Sequence, residues 1–293
     1  MIYGAQIEQR KIVCDSTSIR RDPTRTTDIR RSFTAELNRR IQKLKRYTRE
    51  SVDLGDYLGL SRPNAMSQLT GGSPQLILQA FSNWLSAATR STLLAKDGLW
   101  MRPHIERAWQ RGVTHAQTSI REQVKTSPRA YMAHVHVAQS DLSAIVTAAE
   151  QNALRTVSVA LARRDSRPKD IAKGLNRTFD KIIGERGKLL VNTHVVSAHA
   201  EATLDVAEAA GITHVRRTPE WTPTPIVHDT RARYVRWLTA GDDRVCKVCA
   251  QREGDILKIS EARRAIPVHL NCRCAWELLN ASDLIEMGID LYD

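Results

Sequence analysis

Residues 242–249 read DDRVCKVC and, after nineteen further residues, residues 269–276 read HLNCRCAW. Four of the five cysteines of the 293-residue chain lie in these two segments. Two residues separate the cysteines of the first segment, and two separate the histidine of the second from its first cysteine. This is the spacing at which a tight turn offers two ligands to a tetrahedral ion. The two segments therefore predict a small C-terminal domain held together by a metal ion or by covalent links.

The candidate ligands outnumber the four positions of a tetrahedral site. The preferred set is Cys246, Cys249, His269 and Cys272. Cys274 competes for the last position, because alternate side chains of an extended segment point to the same side, and a set that uses both Cys272 and Cys274 is the second choice. Zinc or a similar ion is the first explanation, with disulfides and reduced, unliganded thiols as alternatives. Four protein ligands leave no open position, so such an ion would be structural.

Composition is that of a folded protein, with 42% hydrophobic and 26% charged residues. The sequence contains no apolar run of membrane-spanning length and no signal peptide, so we expect folding in a cytoplasm and no membrane partner. Thiols stay reduced there, which favours a metal over disulfides. We find no Walker loop, glycine-rich dinucleotide turn or Ser-His-Asp arrangement, so we expect a protein that is not an enzyme and has no catalytic residues.

The first 211 residues have the apolar periodicity of long helices. The first predicted helix carries one apolar stripe through Ile29, Phe33, Leu37, Ile41 and Leu44. Further helices are predicted over about 77–92, 99–123, 141–164, 170–179 and 188–210. After Gly211 the helical periodicity ends, and β-like segments follow at 213–215, 226–228 and 233–238. The predicted fold class is therefore mainly α, with long helices followed by a small α+β, metal-stabilised C-terminal domain.

These changes in charge and apolar periodicity along the chain predict three parts. Residues 1–60 form a basic N-terminal arm and helix, residues 61–211 a helical domain, and residues 212–293 a small Cys/His zinc-type domain with an acidic tail. The lone Cys14 lies in the N-terminal arm and is interpreted as a free thiol. The last seventeen residues carry five acidic residues and no basic one.

The chain has a net charge of +12, which predicts an affinity for polyanions. Residues 20–49 contain eleven Lys or Arg residues and three acidic residues. An acidic protein surface or the phosphates of double-stranded DNA would suit this helix, and an ordinary basic, solvated face is the alternative. The candidate binding residues are Arg20, Arg21, Arg30, Arg31, Arg39, Arg40, Lys43, Lys45 and Arg46.

The C-terminal part resembles a known family. The sequence from Trp237 to Cys249 reads WLTAGDDRVCKVC, and Pro267 to Cys274 reads PVHLNCRC, which is similar to the signature of the phage Mu F-type minor head proteins, also called phage head morphogenesis proteins. The resemblance covers about residues 187–277. Upstream, where the family commonly has Arg-Thr-Glu, this chain reads Asn192-Thr-His, a departure from the pattern.

This resemblance implies a non-enzymatic component of the head of a tailed phage or prophage. Such proteins associate in a few copies with the portal vertex during procapsid assembly, so the implied partners are portal protein and capsid or scaffold protein. Some members contact the genome during packaging or ejection. The implied location is the virion head, after assembly in the host cytoplasm. The alternative interpretation is a DNA-binding or nuclease-like zinc protein of a mobile element.

Overall fold

Long helices dominate the structure, a computed structural model that describes residues 22–53, 73–120, 123–127, 130–163, 168–210, 234–279 and 288. The long helices are α1 (Thr27–Asp53), α2 (Pro74–Thr92), α3 (Arg102–Ile120), α4 (Tyr131–Ala162), α5 (Pro168–Phe179) and α6 (Glu185–Ala209). The C-terminal elements are β1 (Tyr234–Leu238), α7 (Lys247–Ala250), β2 (Ile256–Lys258), α8 (Ile259–Ala262) and β3 (Ala275–Leu278). The predicted fold class, mainly α with a small α+β C-terminal part, is confirmed.

Helix α4 corrects the predicted start at residue 141, because it begins ten residues earlier, at Tyr131. Tyr131, Val135 and Ala138 continue the buried stripe of the helix toward its N-terminus. Small and β-branched residues in this part weakened the periodic signal. His134 and His136 consequently lie on this helix.

Other sequence predictions lie outside the described residues. They are Cys14, the strands at 213–215 and 226–228, and, apart from residue 288, the acidic tail beyond residue 279. The boundaries predicted after residues 60 and 211 also fall in such ranges, so the predicted division into three parts stays a prediction.

The chain separates into two compact units. The helical unit comprises Thr26–Trp109 and Ser127–Ala198, and the C-terminal unit comprises Met1–Arg25, Gln110–Thr126 and His199–Asp293. Helices α3 and α6 each contribute one part of their length to each unit.

The helical unit buries the predicted stripe of α1. Ile29, Phe33, Leu37, Ile41 and Leu44 are at most 3% exposed. The stripe packs against α2 and α5, whose largest buried side chains include Phe81, Leu85 and Phe179. Burial of such aliphatic and aromatic side chains is the main term that stabilises a helical bundle.

The C-terminal unit contains a close approach of two helices. A Cβ atom added to Gly112 of α3 would lie 2.3 Å from the carbonyl oxygen of His199 on α6, and 2.9 Å from the Cβ of Ala202. Only a residue without a side chain permits backbones to come this near. Glycine weakens a helix, and the close packing of α3 on α6 explains why position 112 nevertheless carries one.

The small sheet of the same unit has the strand order β2-β1-β3, with antiparallel pairs. Trp237 of β1 lies opposite Trp276 of β3, and their rings meet edge to face with centroids 5.1 Å apart. Both indoles are fully buried. On the other face, Arg236 Nε donates to Glu277 Oε2 at 2.7 Å. Strands β1 and β3 are thereby joined by one aromatic pair and one ion pair, and β2 is joined to β1 by the strand pairing.

Candidate metal centre

Strand pairing brings the two cysteine segments together. Leu238 at the end of β1 lies opposite Ala275 at the start of β3. Because the strands are antiparallel, the residues that follow β1 and those that precede β3 emerge at the same end of the sheet. The first segment therefore meets the second despite the long intervening chain.

The first segment forms a turn that leads into α7. Cys246 is the N-cap of this short helix, and its Sγ accepts a hydrogen bond from the backbone N–H of Cys249 at 3.4 Å. A hydrogen bond to sulfur favours the thiolate form that a metal requires. Cys249 is buried and Cys246 is half-buried, so this turn offers two sulfur atoms toward the interior of the unit.

The second segment forms a matching turn. The backbone N–H of Cys272 donates to the carbonyl oxygen of His269 at 3.2 Å, and Asn271 has a left-handed φ of 64°. His269 Nδ1 lies 2.6 Å from the carbonyl oxygen of Leu270. A carbonyl can only accept, so Nδ1 carries the proton and Nε2 keeps its lone pair for a ligand.

The donor atoms of the two turns converge. His269 Nε2 lies 3.0 Å from the Sγ of Cys246 and 3.0 Å from the Sγ of Cys249. Cys249 Sγ lies 3.9 Å from Cys272 Sγ. A tetrahedral ion with metal–sulfur bonds of about 2.3 Å places two sulfurs about 3.8 Å apart. The thiol pair already has this spacing, and the imidazole would move outward by about half an ångström, because nitrogen and sulfur ligands of such an ion lie about 3.5 Å apart.

Five side chains belong to this centre. Its donor atoms form two overlapping groups, Cys246–Cys249–His269 and Cys249–Cys272–Cys274, in each of which all atoms lie within 4.8 Å of one another. Cys249 is common to both groups. The structure thus brings together all five residues that the sequence singled out, and these side chains could hold a metal ion.

Crowding of sulfur atoms separates the pKa values of the thiols. The hydrogen bond from Cys274 lowers the pKa of Cys272 to about 5. Burial, together with the nearby Cys272, raises the pKa of Cys249 to about 12. The hydrogen bond to Cys272 and burial also raise the pKa of Cys274. Neighbouring thiolates repel one another, and a divalent cation would remove that repulsion.

An ion pair that sequence reasoning missed also joins the two turns. Arg273 donates from Nη1 and Nη2 to the carboxylate of Asp242, at 2.7 and 2.5 Å. The hydrogen bonds from Arg273 hold the pKa of Asp242 well below its usual range. The two residues are 31 positions apart, so no local pattern could have paired them.

The predicted binding residues of α1 have mixed surroundings. Arg20 and Arg21 lie outside the described residues. Arg40 Nη1 donates to the carbonyl oxygen of Thr92 at 2.7 Å, and its guanidinium lies 4.6 Å from the ring centroid of Trp100. Lys45 is paired with Asp180 at 2.8 Å. Arg40 and Lys45 therefore contribute to packing within the helical unit.

The other five predicted residues lie nearer the surface of α1. Arg39 is paired with Glu36 yet remains largely exposed, and Arg30 donates to Thr27. The five predicted residues are Arg30, Arg31, Arg39, Lys43 and Arg46. Phosphate or acidic-partner binding by this set stays a prediction.

Two histidines that lie far apart in the sequence meet in the C-terminal unit. The rings of His115 and His199 have centroids 5.5 Å apart. His199 is fully buried, and neither of its ring nitrogens has a hydrogen-bond partner among the described residues. Burial and the neighbouring His115 lower its pKa to about 3. No third metal ligand joins the pair in the described part of the chain, so two neutral imidazoles pack here.

No helix in the described ranges has both the length and the hydropathy to cross a membrane. In comparisons with known proteins, no family model, no curated protein and no solved structure matches this chain.

Proposed function

We propose that the two turns bind one structural zinc ion through Cys246, Cys249, His269 and Cys272. Thiolate and imidazole donors are the set that zinc favours, and their convergence supports a tetrahedral site. Cys274 is then a buried neighbour of the site. With all four positions filled by protein, water has no place on the ion, so the ion stabilises the fold without activating a nucleophile.

Metal analysis of the chain purified without added reductant and under exclusion of air tests this proposal. About one zinc ion per chain is expected, together with thiols that a thiol reagent reaches only after chelation. Cys246→Ser/Cys249→Ser is the matched variant, and it should carry no zinc. Less than about half an equivalent, with thiols that become reactive on reduction alone, would instead identify disulfides.

We further propose that the protein is a structural minor head protein of a tailed phage or prophage, which associates with the portal vertex during procapsid assembly. The observation that carries this proposal is the Cys/His segment itself. The residues that resemble the minor head family, from Trp237 to Cys274, contain the end of β1, the strand β2 and both ligand-bearing turns. Portal protein and capsid or scaffold protein are the proposed partners, and the virion head is the proposed location.

Copy counting tests the proposal most directly. Quantitative mass spectrometry of purified virions should find this chain at a few copies per particle. Co-expression with the portal protein of the same genome should give a stable complex on a sizing column. If the chain were absent from virions, or eluted as a monomer separate from the portal oligomer, this role would be excluded.

A DNA-binding or nuclease-like zinc protein of a mobile element is the second candidate. The charge of +12 favours it, whereas the closed ligand set argues against hydrolysis at the zinc. Incubation of supercoiled plasmid with the purified chain and Mg²⁺ or Mn²⁺ separates the two candidates. Nicking that disappears in the Cys246→Ser/Cys249→Ser variant would favour the second candidate.

A further inference from the structure

A cleft in the helical unit carries basic residues that the sequence patterns did not single out as a set. It has a volume of about 450 Å³ and lies between the C-terminal part of α1 and the helix α5. Its lining includes Arg49 from α1 and Lys169, Lys173 and Arg177 from α5. Asp180, just after α5, is its one acidic residue in the described part of the chain.

The charge of this cleft is not neutralised by the protein. The carboxylate of Asp180 is already paired with Lys45, whose Nζ lies 2.8 and 3.0 Å from its two oxygens. The four basic side chains of the lining are exposed. None of them forms an ion pair with another residue in the described ranges. A cleft with four available cations and one satisfied anion attracts negative charge.

The walls of the cleft are held in place by packing. Along α5, Lys169, Lys173 and Arg177 recur every fourth residue, which places them in one row on the helix. The opposite side of α5 is buried through Ile171, Leu175 and Phe179. A Cβ atom at Gly174 would lie 3.1 Å from the methyl group of Thr156 on α4. The row of cations therefore stands on a helix that is packed closely on its other side.

The length of the row indicates the kind of anion. Eight residues of helix span about 12 Å, whereas successive nucleotides of one DNA strand rise by 3.4 Å. A single phosphate would reach one or two of these cations, but a nucleic-acid backbone can reach all of them. Arginine and lysine together are the usual phosphate donors in such contacts.

We propose that the cleft between α1 and α5 binds the phosphate backbone of nucleic acid, with Arg49, Lys169, Lys173 and Arg177 as its contacts. Recognition is of phosphate, so little dependence on base sequence is expected. The proposal is independent of the virion role, and it moves the main contact from the N-terminal part of α1 to α5.

Fluorescence anisotropy with a labelled 24-base-pair duplex tests the cleft, with the full chain titrated at several salt concentrations. The triple variant Lys169→Gln/Lys173→Gln/Arg177→Gln should raise the dissociation constant by about tenfold or more. The slope of log affinity against log salt should become shallower by about 2 to 3, since each lost phosphate contact removes about 0.9. The matched control, Arg90→Gln/Lys96→Gln/Arg155→Gln, removes the same charge from exposed side chains outside the cleft and should change the constant less than about threefold.

Three results would overturn the proposal. The first is a wild-type chain that does not bind the duplex at low salt. The second is an equal loss in both triple variants, which would mean diffuse attraction by net charge. The third is displacement of the duplex by polyglutamate at a charge concentration equal to that of DNA, which would mean an acidic protein ligand. Helical circular dichroism and the melting temperature of each variant show whether it is folded.

Discussion

At the scale of single residues, His269 carries the most specific sign of metal ligation. Its Nδ1 donates to the carbonyl oxygen of Leu270, which fixes the tautomer and leaves Nε2 free at 3.0 Å from two sulfurs. Metal-binding histidines usually have such a partner on the second nitrogen. Spacing identified this histidine in the sequence, but its tautomer depends on the backbone of the turn and could not have been predicted.

Serine substitutions distinguish the two candidates for the fourth ligand. Cys272→Ser should lower the zinc content well below one ion per chain, because its sulfur lies at the spacing of a shared ion from Cys249. Cys274→Ser should keep about one ion, since it removes only a neighbour. Mass spectrometry under non-denaturing conditions measures both. The reverse pattern would assign the fourth position to Cys274.

A second prediction at this scale concerns acid stability. Burial lowers the pKa of His199 to about 3, against 6.5 in an unfolded chain. As the pH falls below 6.5, His199 binds a proton in the unfolded chain but stays neutral in the folded chain. The free energy of unfolding therefore decreases between about pH 6.5 and pH 3, by up to about 1.4 kcal/mol per pH unit for this one site.

Urea unfolding of wild type and His199→Gln between pH 4 and pH 7.5 measures this contribution. The variant should show the shallower pH dependence, because it has lost the group that titrates only when unfolded. The carboxylates and the metal ligands are the same in both proteins, so the difference in slope isolates His199. Equal slopes would mean that the imidazole is already accessible to protons in the folded state.

At the scale of elements, long amphipathic helices could be predicted and short strands could not. The stripe of α1 covers about four turns, and each of its five residues is buried as its spacing indicated. Strand β1, which has five residues, was also predicted, as the β-like segment at 233–238. Strand β2 has three residues and β3 has four. Segments this short have no periodicity of their own, and they are defined by their pairing with β1.

The approach of α3 to α6 gives a prediction for Gly112→Ala. In an open helix this change would stabilise by up to about 1 kcal/mol. Here the new Cβ would lie 2.3 Å from a backbone oxygen, and the helices must separate, so we expect a net destabilisation of about 1–3 kcal/mol. Thermal and urea unfolding measure it.

Gly184→Ala is the control for this substitution. A Cβ atom at Gly184 would meet nothing within 4 Å, so the same chemical change should be neutral or mildly stabilising. Gly184 lies in the π-helical segment Asp180–Gly184 between α5 and α6. If both variants were equally unstable, the cause would be the replacement of glycine itself, and not the close contact of α3 with α6.

At the scale of the molecule, contacts between distant segments were beyond sequence reasoning. The ion pair of Asp242 with Arg273 joins the two turns of the candidate metal centre, and neither residue is a candidate ligand. The basic cleft unites Arg49 with a helix that begins at residue 168. The sequence showed the charge of each part, but it could not show which charges are already paired. Lys45 and Arg40 were expected on a binding face, and the fold uses both internally.

Metal removal should affect the two units differently. The helical unit contains none of the five candidate ligands. The sheet of the C-terminal unit has three short strands among the described residues, and under the zinc proposal the bound ion offsets its chain entropy. Hydrogen exchange after chelation should therefore show lost protection at β1 and β3, with α1 and α4 still protected. Added Zn²⁺ should restore the protection, and Mg²⁺ should not. Unchanged exchange at β1 would mean that the sheet is stable without metal.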